Sequence, residues 1–469
     1  MRARSLLILP ALLLAACAVG PNYKRPSIAP PTAFRAPEPL PPDQSSSLAD
    51  LKWFQVFQDE RLQDLIRTAL VRNYDLRNAV ARVEAARASL GITRSEQFPS
   101  VAAGGGVEFN RISRDGATPI SAALLPSQNR TFGSAVLQLL SFEIDIWGRL
   151  RRATEAARAN LLSAEETRHA VVTTLVSDMA TSYLALRELD YELEISRRTL
   201  KTREESLSLT RQRQSGGVST RLDLRQAEQL VYTAAEKIPA TQQQIEQREN
   251  QISLLLGENP GAITRGRSLT EQDLPPDVPP GLPSSLLERR PDIRAAEQNL
   301  IAANAEIGVA RAAYFPQISL SGFLGGSSTQ LSSLFIGPHS TWSAVPQITQ
   351  PIFTAGRIKS GVRLAQAERE HALVQYQKVI QTAFTEVSDA LIAHRRMRES
   401  REKQELLVAA LEDRLQLAYL RYRGGVDTQL NALDADRDLF NGQLTLAQLR
   451  LQEILSVVQL YKALGGGWQ

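Results

Sequence analysis

The sequence repeats itself once, and this repeat constrains the fold more than any other feature. A displacement of 217 residues places Phe98 and Pro99 on Phe315 and Pro316. Farther along, a displacement of 208 places the glycine pair 216–217 on the pair 424–425. The chain is therefore a tandem duplication, and the search for elements starts from the repeat. Between the two matches the first copy has nine more residues, which predicts one longer loop there.

Two long stretches predict helices of unusual length. Residues 148–214 contain no Pro or Gly after Gly148, and residues 358–423 contain only Gly361. At 1.5 Å per residue, about 65 helical residues extend roughly 100 Å. A second helix follows each Gly-Gly-Val turn, at 222–256 and at 428–464, and we expect it to pack back as an antiparallel hairpin. Helical spacing also predicts one helix over 59–98, ended by Pro99.

Segments with a two-residue period predict strands. They lie at about 100–111 and 131–146 in the first copy, and at about 316–325 and 342–353 in the second. In 131–146 the even positions form a mostly apolar face, and the odd face becomes acidic at Glu143 and Asp145. Four strands cannot close a barrel, and an open edge in lipid leaves backbone groups unpaired. Closure demands more than one chain, and three chains would supply twelve strands.

The long helix at 358–423 has two apolar stripes. One contains Leu406 and Leu417, and its neighbour contains Leu407, Leu411 and Leu415. A helix buried on two flanks has a partner on each side, as in a hollow cylinder of helices. A helix inside a thick bundle is the alternative.

The N-terminal residues predict an exported lipoprotein. Residues 1–16 have a short basic start and an apolar run of about eleven residues, too short to span a bilayer, which is typical of a signal peptide. The string LAAC ending at Cys17 matches the bacterial lipobox, in which the cysteine is acylated. Ala18 follows rather than Asp, which favours export to the outer membrane. An ordinary signal peptide ending in Cys is the alternative.

Composition excludes several classes of function. Lys and Arg total 54 against 50 Asp and Glu, and no basic cluster is interleaved with aromatic residues, so nucleic-acid binding is not predicted. Four His and one Cys offer no metal cluster or disulfide framework. No phosphate-binding GK[ST] motif and no nucleophile–base constellation is present, so we expect no enzyme and no cofactor beyond the lipid on Cys17. Beyond the signal, no window has the ~20 apolar residues of a membrane helix, so only strands could span a membrane.

Five strings in order resemble the outer-membrane lipoproteins of RND-type efflux systems, in the NodT/OprM branch of the TolC-like family. They are VGPNYKRP (19–26), WFQVFQDERLQDLI (53–66), FEIDIWGRLRR (142–152), LLERRPDIRAAE (286–297) and QPIFTAGRI (350–358). The resemblance implies a mainly α fold with a small β part: a homotrimer with a twelve-stranded outer-membrane β-barrel, four strands per chain, and an α-helical tunnel in the periplasm. It implies docking on a periplasmic adaptor (membrane fusion) protein and an inner-membrane RND pump, with lipid around the barrel.

The same resemblance implies a gate near the second Gly-Gly turn. Asp434 matches an acidic ring and Leu430 an apolar constriction, while Arg437 matches the basic partner of the lipoprotein branch. Tyr422 matches a tether tyrosine whose hydrogen-bond partner would be Asp223 in the first copy.

Two positions depart from the TolC type, with Asn431 in place of a second ring aspartate and Asp427 in place of a tether arginine. The glycines of both turns match the hairpin tips that meet the adaptor: Gly216, Gly217, Gly424 and Gly425.

We predict these divisions: signal peptide 1–16, lipidated tether 17–58, first efflux repeat 59–257, linker 258–284 and second repeat 285–469. The predicted function is the exit duct of a tripartite pump that exports small molecules such as antimicrobials from a Gram-negative bacterium. A type I protein-secretion duct and a non-conducting, lipid-anchored scaffold are the alternatives.

Overall fold

Two helices of 67 residues each are the longest elements of the chain in the computed structural model. The structure describes residues 18–31, 33–35, 47–113, 127–272, 281 and 283–468. The signal peptide and Cys17 lie outside the described residues. Two compact units are present. The first contains the described residues of 1–26, 84–163 and 296–375, and the second those of 27–83, 164–295 and 376–469.

The same series of elements occurs twice. The first copy contains α1 (Trp53–Val56), α2 (Glu60–Arg72), α3 (Tyr74–Ser95), β1 (Val101–Arg111), β2 (Asn129–Glu143), α4 (Arg149–Ser215) and α5 (Arg221–Leu256). The second contains α6 (Pro283–Arg289), α7 (Pro291–Ala312), β3 (Gln317–Ser328), β4 (Ser340–Thr349), α8 (Arg357–Arg423) and α9 (Gln429–Ala463). Helices α3 and α7 have 22 residues each, and α5 and α9 have 36 and 35. The predicted duplication and the mainly α fold with four strands are confirmed.

The predicted helix 59–98 is two helices in the structure. Asn73 separates α2 from α3: its backbone is extended, and its side-chain oxygen accepts from the amide of Leu76 at 3.0 Å. Asparagine is favoured at helix starts because its side chain satisfies such an amide. The single-helix prediction was wrong because the apolar spacing on both sides of Asn73 hides this cap.

The strands form an antiparallel sheet in chain order, β1-β2-β3-β4, within the described residues. Strand β2 ends at Glu143 and β4 at Thr349, earlier than the predicted 146 and 353. Residues 350–356 contain Pro351, which has no amide to donate to a ladder, and Gly356 with a φ of 84°. The nine extra residues of the first copy are distributed over more than one element. Strand β2 has five more residues than β4, and the β1–β2 connection is six residues longer than the β3–β4 connection. Shorter segments elsewhere in the first copy offset part of this difference. The prediction of a single longer loop was therefore incomplete.

One face of the sheet is apolar and the other is mostly polar. The register places Leu137, Leu324 and Trp342 side by side, and their exposed fractions are 55%, 62% and 73%. The same face carries Val101, Ala103, Val107, Phe109, Leu139, Ala344 and Ile348. The opposite face carries Glu108, Asn110, Gln138, Ser321, Ser343 and Gln347. Alternate residues of a strand point to opposite sides, so this partition is fixed by register.

A bulge reverses the side-chain alternation in β2. Leu139 pairs with Gly322, whereas Phe142 pairs with Leu320, so β2 has one extra residue there. A one-residue insertion moves the following side chains to the other face. The sequence-based assignment of one even-numbered apolar face along the whole strand was therefore wrong: the apolar face is odd-numbered up to Leu139 and even-numbered at Phe142.

Residues 18–31 have no regular secondary structure, and their first part lies against α4 and α7. The amide of Val19 donates to the carbonyl of Trp147 at 2.9 Å, and Asn304 donates to the carbonyl of Pro21 at 2.9 Å. A Cβ on Gly308 would lie 2.7 Å from the Val19 carbonyl oxygen, so the two backbones touch where only glycine fits. This segment is thus held in a fixed register.

The motif that opens the second copy has a structural role. Arg290, 7% exposed, donates from Nη1 to Glu386 at 2.7 Å and to the carbonyl of Ala463 at 2.9 Å, and from Nη2 to Asp292 at 2.6 Å. It thereby joins the start of α7 to α8 and to the end of α9.

Among the residues that the structure describes, none of the helices combines the length and the hydropathy needed to span a membrane.

Candidate functional site

The two helix reversals, here called the first hairpin end (residues 213–230) and the second hairpin end (residues 421–438), contain the predicted gate. Each begins with a Schellman motif, which closes a helix through a residue of positive φ. Gly217 has a φ of 76° and Gly425 a φ of 74°. The amide of Val218 donates to the carbonyl of Arg213 at 2.8 Å, and that of Val426 to Arg421 at 3.1 Å.

The two glycines of each pair have different roles. Gly217 and Gly425 need glycine because of their φ, although a Cβ on either would meet nothing within 4 Å in the described structure. Gly216 and Gly424 have no positive φ, and a Cβ would lie 3.5 and 3.3 Å from a carbonyl oxygen of their own helix. The predicted tips therefore consist of one conformationally required glycine and one tolerant glycine each.

Asp434 and Arg437 form an exposed ion pair on α9. Arg437 Nη1 lies 3.0 Å from Asp434 Oδ1, and the two side chains are 53% and 37% exposed. Arg437 also contacts Asp438 at 3.0 Å, and Asp438 accepts from Arg414 of α8 at 2.7 Å. The pKa of Asp438 is lowered, chiefly by its hydrogen bond from Arg414. The Asp434 carboxylate remains accessible while a single arginine balances it.

Leu430 lies four residues before Asp434, on the same face of α9, and is 46% exposed. Asn431 instead donates to Asp427 Oδ1 at 2.6 Å. Asp427 also accepts from Arg421 at 3.0 Å and from the amide of Thr428 at 2.8 Å, and the Arg421 hydrogen bond is the main reason its pKa is lowered. The two departures from the TolC type thus bond to each other.

The predicted Tyr422–Asp223 hydrogen bond is not formed among the described residues. Tyr422 donates to Gln429 Oε1 at 3.3 Å, and the Arg213 guanidinium lies 4.9 Å from the Tyr422 ring centroid. Asp223 is occupied at its own helix start, where its carboxylate accepts from the amide of Thr220 at 2.8 Å and its amide donates to the Thr220 hydroxyl at 3.1 Å. This capping box satisfies two helix-end amides, which is why Asp223 stays at its own helix.

Buried polar links join α4 to α9, and the sequence analysis missed them. Arg203 Nε donates to Asp436 Oδ2 at 2.5 Å, and both side chains are less than a tenth exposed. Gln429 Nε2 donates to the Thr210 hydroxyl at 2.8 Å. Thr210 lies seven residues after Arg203, and Gln429 lies seven residues before Asp436, so the two links are two helical turns apart on both helices. The signal was present in the sequence as polar residues at heptad spacing within apolar stripes.

Asp436 sits two residues from Asp434 in a very different environment. Burial raises its pKa, and the Arg203 guanidinium opposes that rise. Arg203 also donates to the carbonyl of Leu230 on α5 at 2.8 Å and lies 4.9 Å from the ring centroid of Phe440. The segment that carries the exposed Asp434 is therefore anchored from its buried side to α4 and α5.

A third link between α4 and α9 involves a buried pair of glutamates. Glu192, 2% exposed, accepts from Gln448 of α9 at 3.0 Å and lies 3.0 Å from Lys237 Nζ of α5. Glu188, one turn away and 6% exposed, has its pKa raised to about 8, first by burial and then by the charge of Glu192, while Lys237 and Arg248 oppose the shift. Burial and the neighbouring carboxylate therefore favour the protonated form of Glu188.

Glu143 and Asp145 are structural groups at the strand–helix junction. Arg149 donates to both oxygens of Glu143, at 2.9 and 2.7 Å, and the amide of Arg151 donates to Asp145 at 2.9 Å. They line a cavity of about 540 Å³ with apolar walls that include Trp147. These pairings fix the entry into α4.

In the described part of the chain, no group of three or more His, Cys, Asp or Glu could hold a metal ion.

Comparisons with known proteins give one consistent result. The family model described as "Outer membrane efflux protein" matches residues 65–258 and 282–466. The toluene efflux pump outer membrane protein TtgC of Pseudomonas putida is 39% identical over 467 residues, covering 98% of this chain and 94% of TtgC. The cation efflux system protein CusC of Escherichia coli is 35% identical over 461 residues, covering 98% and 97%. The crystal structure of the open state of the Neisseria gonorrhoeae MtrE outer membrane channel has a TM-score of 0.87 and 32% identity, covering 97% of this chain and 99% of MtrE.

Proposed function

We propose, on the premise that this chain belongs to the outer membrane efflux protein family, that three copies form the exit duct of a tripartite RND-type pump. The chain is an outer-membrane efflux channel of a Gram-negative bacterium and not an enzyme. The trimer, the pump and the exported compounds are the proposed part.

The observation that carries the proposal is the open, two-faced sheet. Its apolar face is uncovered within the described chain, and β1 and β4 each have one edge without a partner strand there. In lipid, every backbone group needs a partner, so a spanning sheet must close on itself. Three copies joined edge to edge give a twelve-stranded barrel whose apolar face meets lipid and whose polar face lines the lumen.

The proposed anchor is a covalent lipid on Cys17. The support is the lipobox, together with the docking of Val19 to Trp147 and of the Val19–Gly20 backbone against Gly308. Residue 18 is fixed beside the N-terminal end of α4, close in sequence to the end of β2. Acyl chains attached one residue earlier would therefore start beside the roots of the proposed membrane strands.

The proposed partners are a periplasmic adaptor at the hairpin ends and an inner-membrane RND pump. Gly217 and Gly425 support the contact, because their positive φ sets the shape of the two exposed turns. The proposed cargo is small molecules, including antimicrobials. TtgC is named for toluene and CusC for cations, so the family name alone does not select one compound.

The proposed gate lies at Leu430 and Asp434, with Arg437 as the balancing charge. Three symmetry-related copies of Asp434 would form an acidic ring, and charged rings select ions by sign. The supporting geometry is the shared, accessible face of Leu430 and Asp434.

Single-channel conductance in planar bilayers tests this function. We expect the wild type to conduct with cation preference, and Asp434→Ala to lose part of that preference. Glu412→Ala, which removes an exposed carboxylate of α8, is the matched control and should behave as the wild type. If Asp434→Ala has the same conductance and ion preference as the wild type, the gate lies elsewhere. A silent wild type, together with a silent Arg203→Leu variant in which the anchor of α9 is lost, would favour the non-conducting scaffold.

A further inference from the structure

The starts of α4 and α8 follow strands that end at the same end of the sheet. Strands β2 and β4 both end there, and β3 begins there, because Thr349 at the end of β4 pairs with Gln317 at the start of β3. The apolar face of the sheet reaches this end with the pair Ile318 and Ile348. In a sheet that spans lipid, such an end lies at the boundary between the membrane interior and water, where phospholipid headgroups are found.

The second copy keeps the cations of this boundary and loses its carboxylates. The displacement of 208 places Arg149 on Arg357 and Arg151 on Lys359, so both positive charges are retained. Three acids of the first copy have neutral or basic counterparts: Glu143 corresponds to Pro351, Asp145 to Phe353 and Glu155 to Arg363. Residues 307–367 contain no Asp or Glu at all. The first two turns of α8 therefore carry three positive charges and no negative one.

The retained cations differ in their partners. In the first copy, Arg149 donates to both oxygens of Glu143, at 2.9 and 2.7 Å. In the second copy, the exposed side chains of Arg357 and Lys359 have no ion pair or hydrogen bond among the described residues. A charge that the first copy neutralises internally is thus left for an anion from outside the chain.

Apolar surface lies beside Arg357. Arg357 lines the cavity of about 540 Å³ that also contains Trp147. The Trp147 ring stacks on Phe315, with the ring centroids 4.7 Å apart. Ile352 and Phe353, which precede α8, are 90% and 87% exposed. A cation next to open apolar surface fits an amphiphile with an anionic head better than it fits a small ion.

We infer that the start of α8 binds the headgroup phosphate of an anionic glycerophospholipid. Arg357 contacts the phosphate, while Lys359 and Arg363 add positive charge around the same two turns, and the acyl chains lie along Ile352 and Phe353. The start of α4 does not bind lipid in this way, because carboxylates of its own copy occupy its cations. This inference rests on the proposed membrane-spanning sheet and assigns a class of lipid to its boundary.

Quenching of tryptophan fluorescence by brominated phospholipids tests this site. The full chain is placed in phosphatidylcholine nanodiscs with an increasing fraction of brominated phosphatidylglycerol, which is anionic, or brominated phosphatidylcholine, which is zwitterionic. A Trp342→Phe background reports Trp147 in the cavity, and a Trp147→Phe background reports Trp342 on the apolar face. The double variant gives the signal of the remaining tryptophans. We expect phosphatidylglycerol to quench Trp147 at a roughly fivefold lower fraction than phosphatidylcholine does, which is the factor that one basic side chain contributes near an anionic lipid.

Three variants identify the side chain responsible. Arg357→Gln should remove the preference for phosphatidylglycerol at Trp147 and leave the quenching of Trp342 unchanged. Arg82→Gln is the matched control, because Arg82 is an exposed arginine of α3 without a bonded partner in the described chain, and it should behave as the wild type. Phe353→Asp places the carboxylate of the first copy beside α8 and should lower the preference although Arg357 is retained.

The outcomes separate this inference from the proposed sheet. Absent or equal quenching of Trp147 by the two lipids, or an unchanged preference in Arg357→Gln, overturns the lipid site, and quenching of Trp342 in the same nanodiscs leaves the spanning sheet standing. If neither lipid quenches Trp342, the sheet does not face lipid, and both proposals are overturned.

Discussion

The two hairpin ends descend from one sequence, and they use corresponding residues differently. Glu228 and Asp436 occupy equivalent positions. The pKa of Glu228 is lowered, first by a hydrogen bond from Arg225, which is itself exposed. The pKa of Asp436 is raised by burial against Arg203. Glu228 also accepts from Arg211 of α4 at 3.4 Å, so both of its partners are exposed arginines, whereas the arginine that pairs with Asp436 is buried.

The two hairpin ends also differ in helix capping. Thr220 caps α5 through a capping box with Asp223, whereas within the described residues the Thr428 hydroxyl makes no cap to α9. At the position of Asp223 the second end has Asn431, whose side chain turns to Asp427. We conclude that the second end lacks the helix cap of the first and has a buried ion pair where the first has exposed arginine partners.

Removal of one partner of the buried Arg203–Asp436 ion pair should give the largest loss of unfolding free energy. Arg203→Leu, which copies the residue that the second repeat has at Leu411, leaves Asp436 buried without its cation. We expect a loss of roughly 3–5 kcal/mol of unfolding free energy, measured as a lower thermal midpoint in detergent. The double variant Arg203→Leu/Asp436→Leu should recover much of it, since no charge is then buried alone. A single variant as stable as wild type would refute the anchoring role.

The buried glutamate pair predicts a pH effect specific to the first repeat, because the counterpart of Glu188 is the exposed Arg396. The pKa of Glu188 is raised to about 8 from its ordinary value of 4.5, so the folded chain binds this proton more tightly than the unfolded chain does. Its stabilising contribution is complete below the unfolded pKa and is lost as pH rises towards 8. Thermal midpoints from pH 5 to 9 should fall, and Glu188→Gln should flatten the decline. An identical slope in Glu188→Gln would exclude this group as the cause.

The glycines allow a comparison within each end. Gly425→Ala forces an alanine into left-handed backbone and should cost roughly 1–2 kcal/mol, whereas Gly424→Ala should be nearly neutral. Affinity for the adaptor, measured by surface plasmon resonance, should fall for Gly425→Ala, and the thermal midpoint should fall with the loss of unfolding free energy. Equal affinities for the two variants would show that the adaptor does not read this turn.

Substitutions at the helix-cap positions Thr220 and Thr428 should give the smallest difference in unfolding free energy. Thr220→Ala should lower the unfolding free energy by about 1 kcal/mol, and Thr428→Ala should have almost no effect. Hydrogen exchange at the first turns of α5 and α9 is the measurement. Faster exchange at both sites, or at neither, would remove the contrast between the two ends.

Periodicity predicted the helices and strands because it is a local property of the sequence. The repeat predicted that the same series of elements occurs twice. The bounds of α4 and α8 follow from the scarcity of Pro and Gly, and they differ from prediction by one residue at each end of α4 and at the start of α8. The bulge after Leu139 and the helix break at Asn73 were missed because one inserted or capping residue barely changes a pattern. Both depend on a tertiary neighbour to select them.

The candidate site was predictable only as a location. The resemblance indicated the second hairpin end, and the gate roles of Leu430, Asp434 and Arg437 remain predictions. The predicted partner of Tyr422 was replaced by Gln429, because Asp223 is already used by its own helix. Arg203 and Asp436 lie 233 positions apart, and no local pattern pairs residues over that distance.

The internal duplication has a consequence for how such a channel changes over generations. In a ring of six identical subunits, every substitution would appear six times, so neighbouring positions around the ring could not carry different residues. With two diverged copies in each gene, a substitution appears in only every other position around the proposed ring. Selection can then change the half that carries Asp434 while the half that carries Thr220 stays the same.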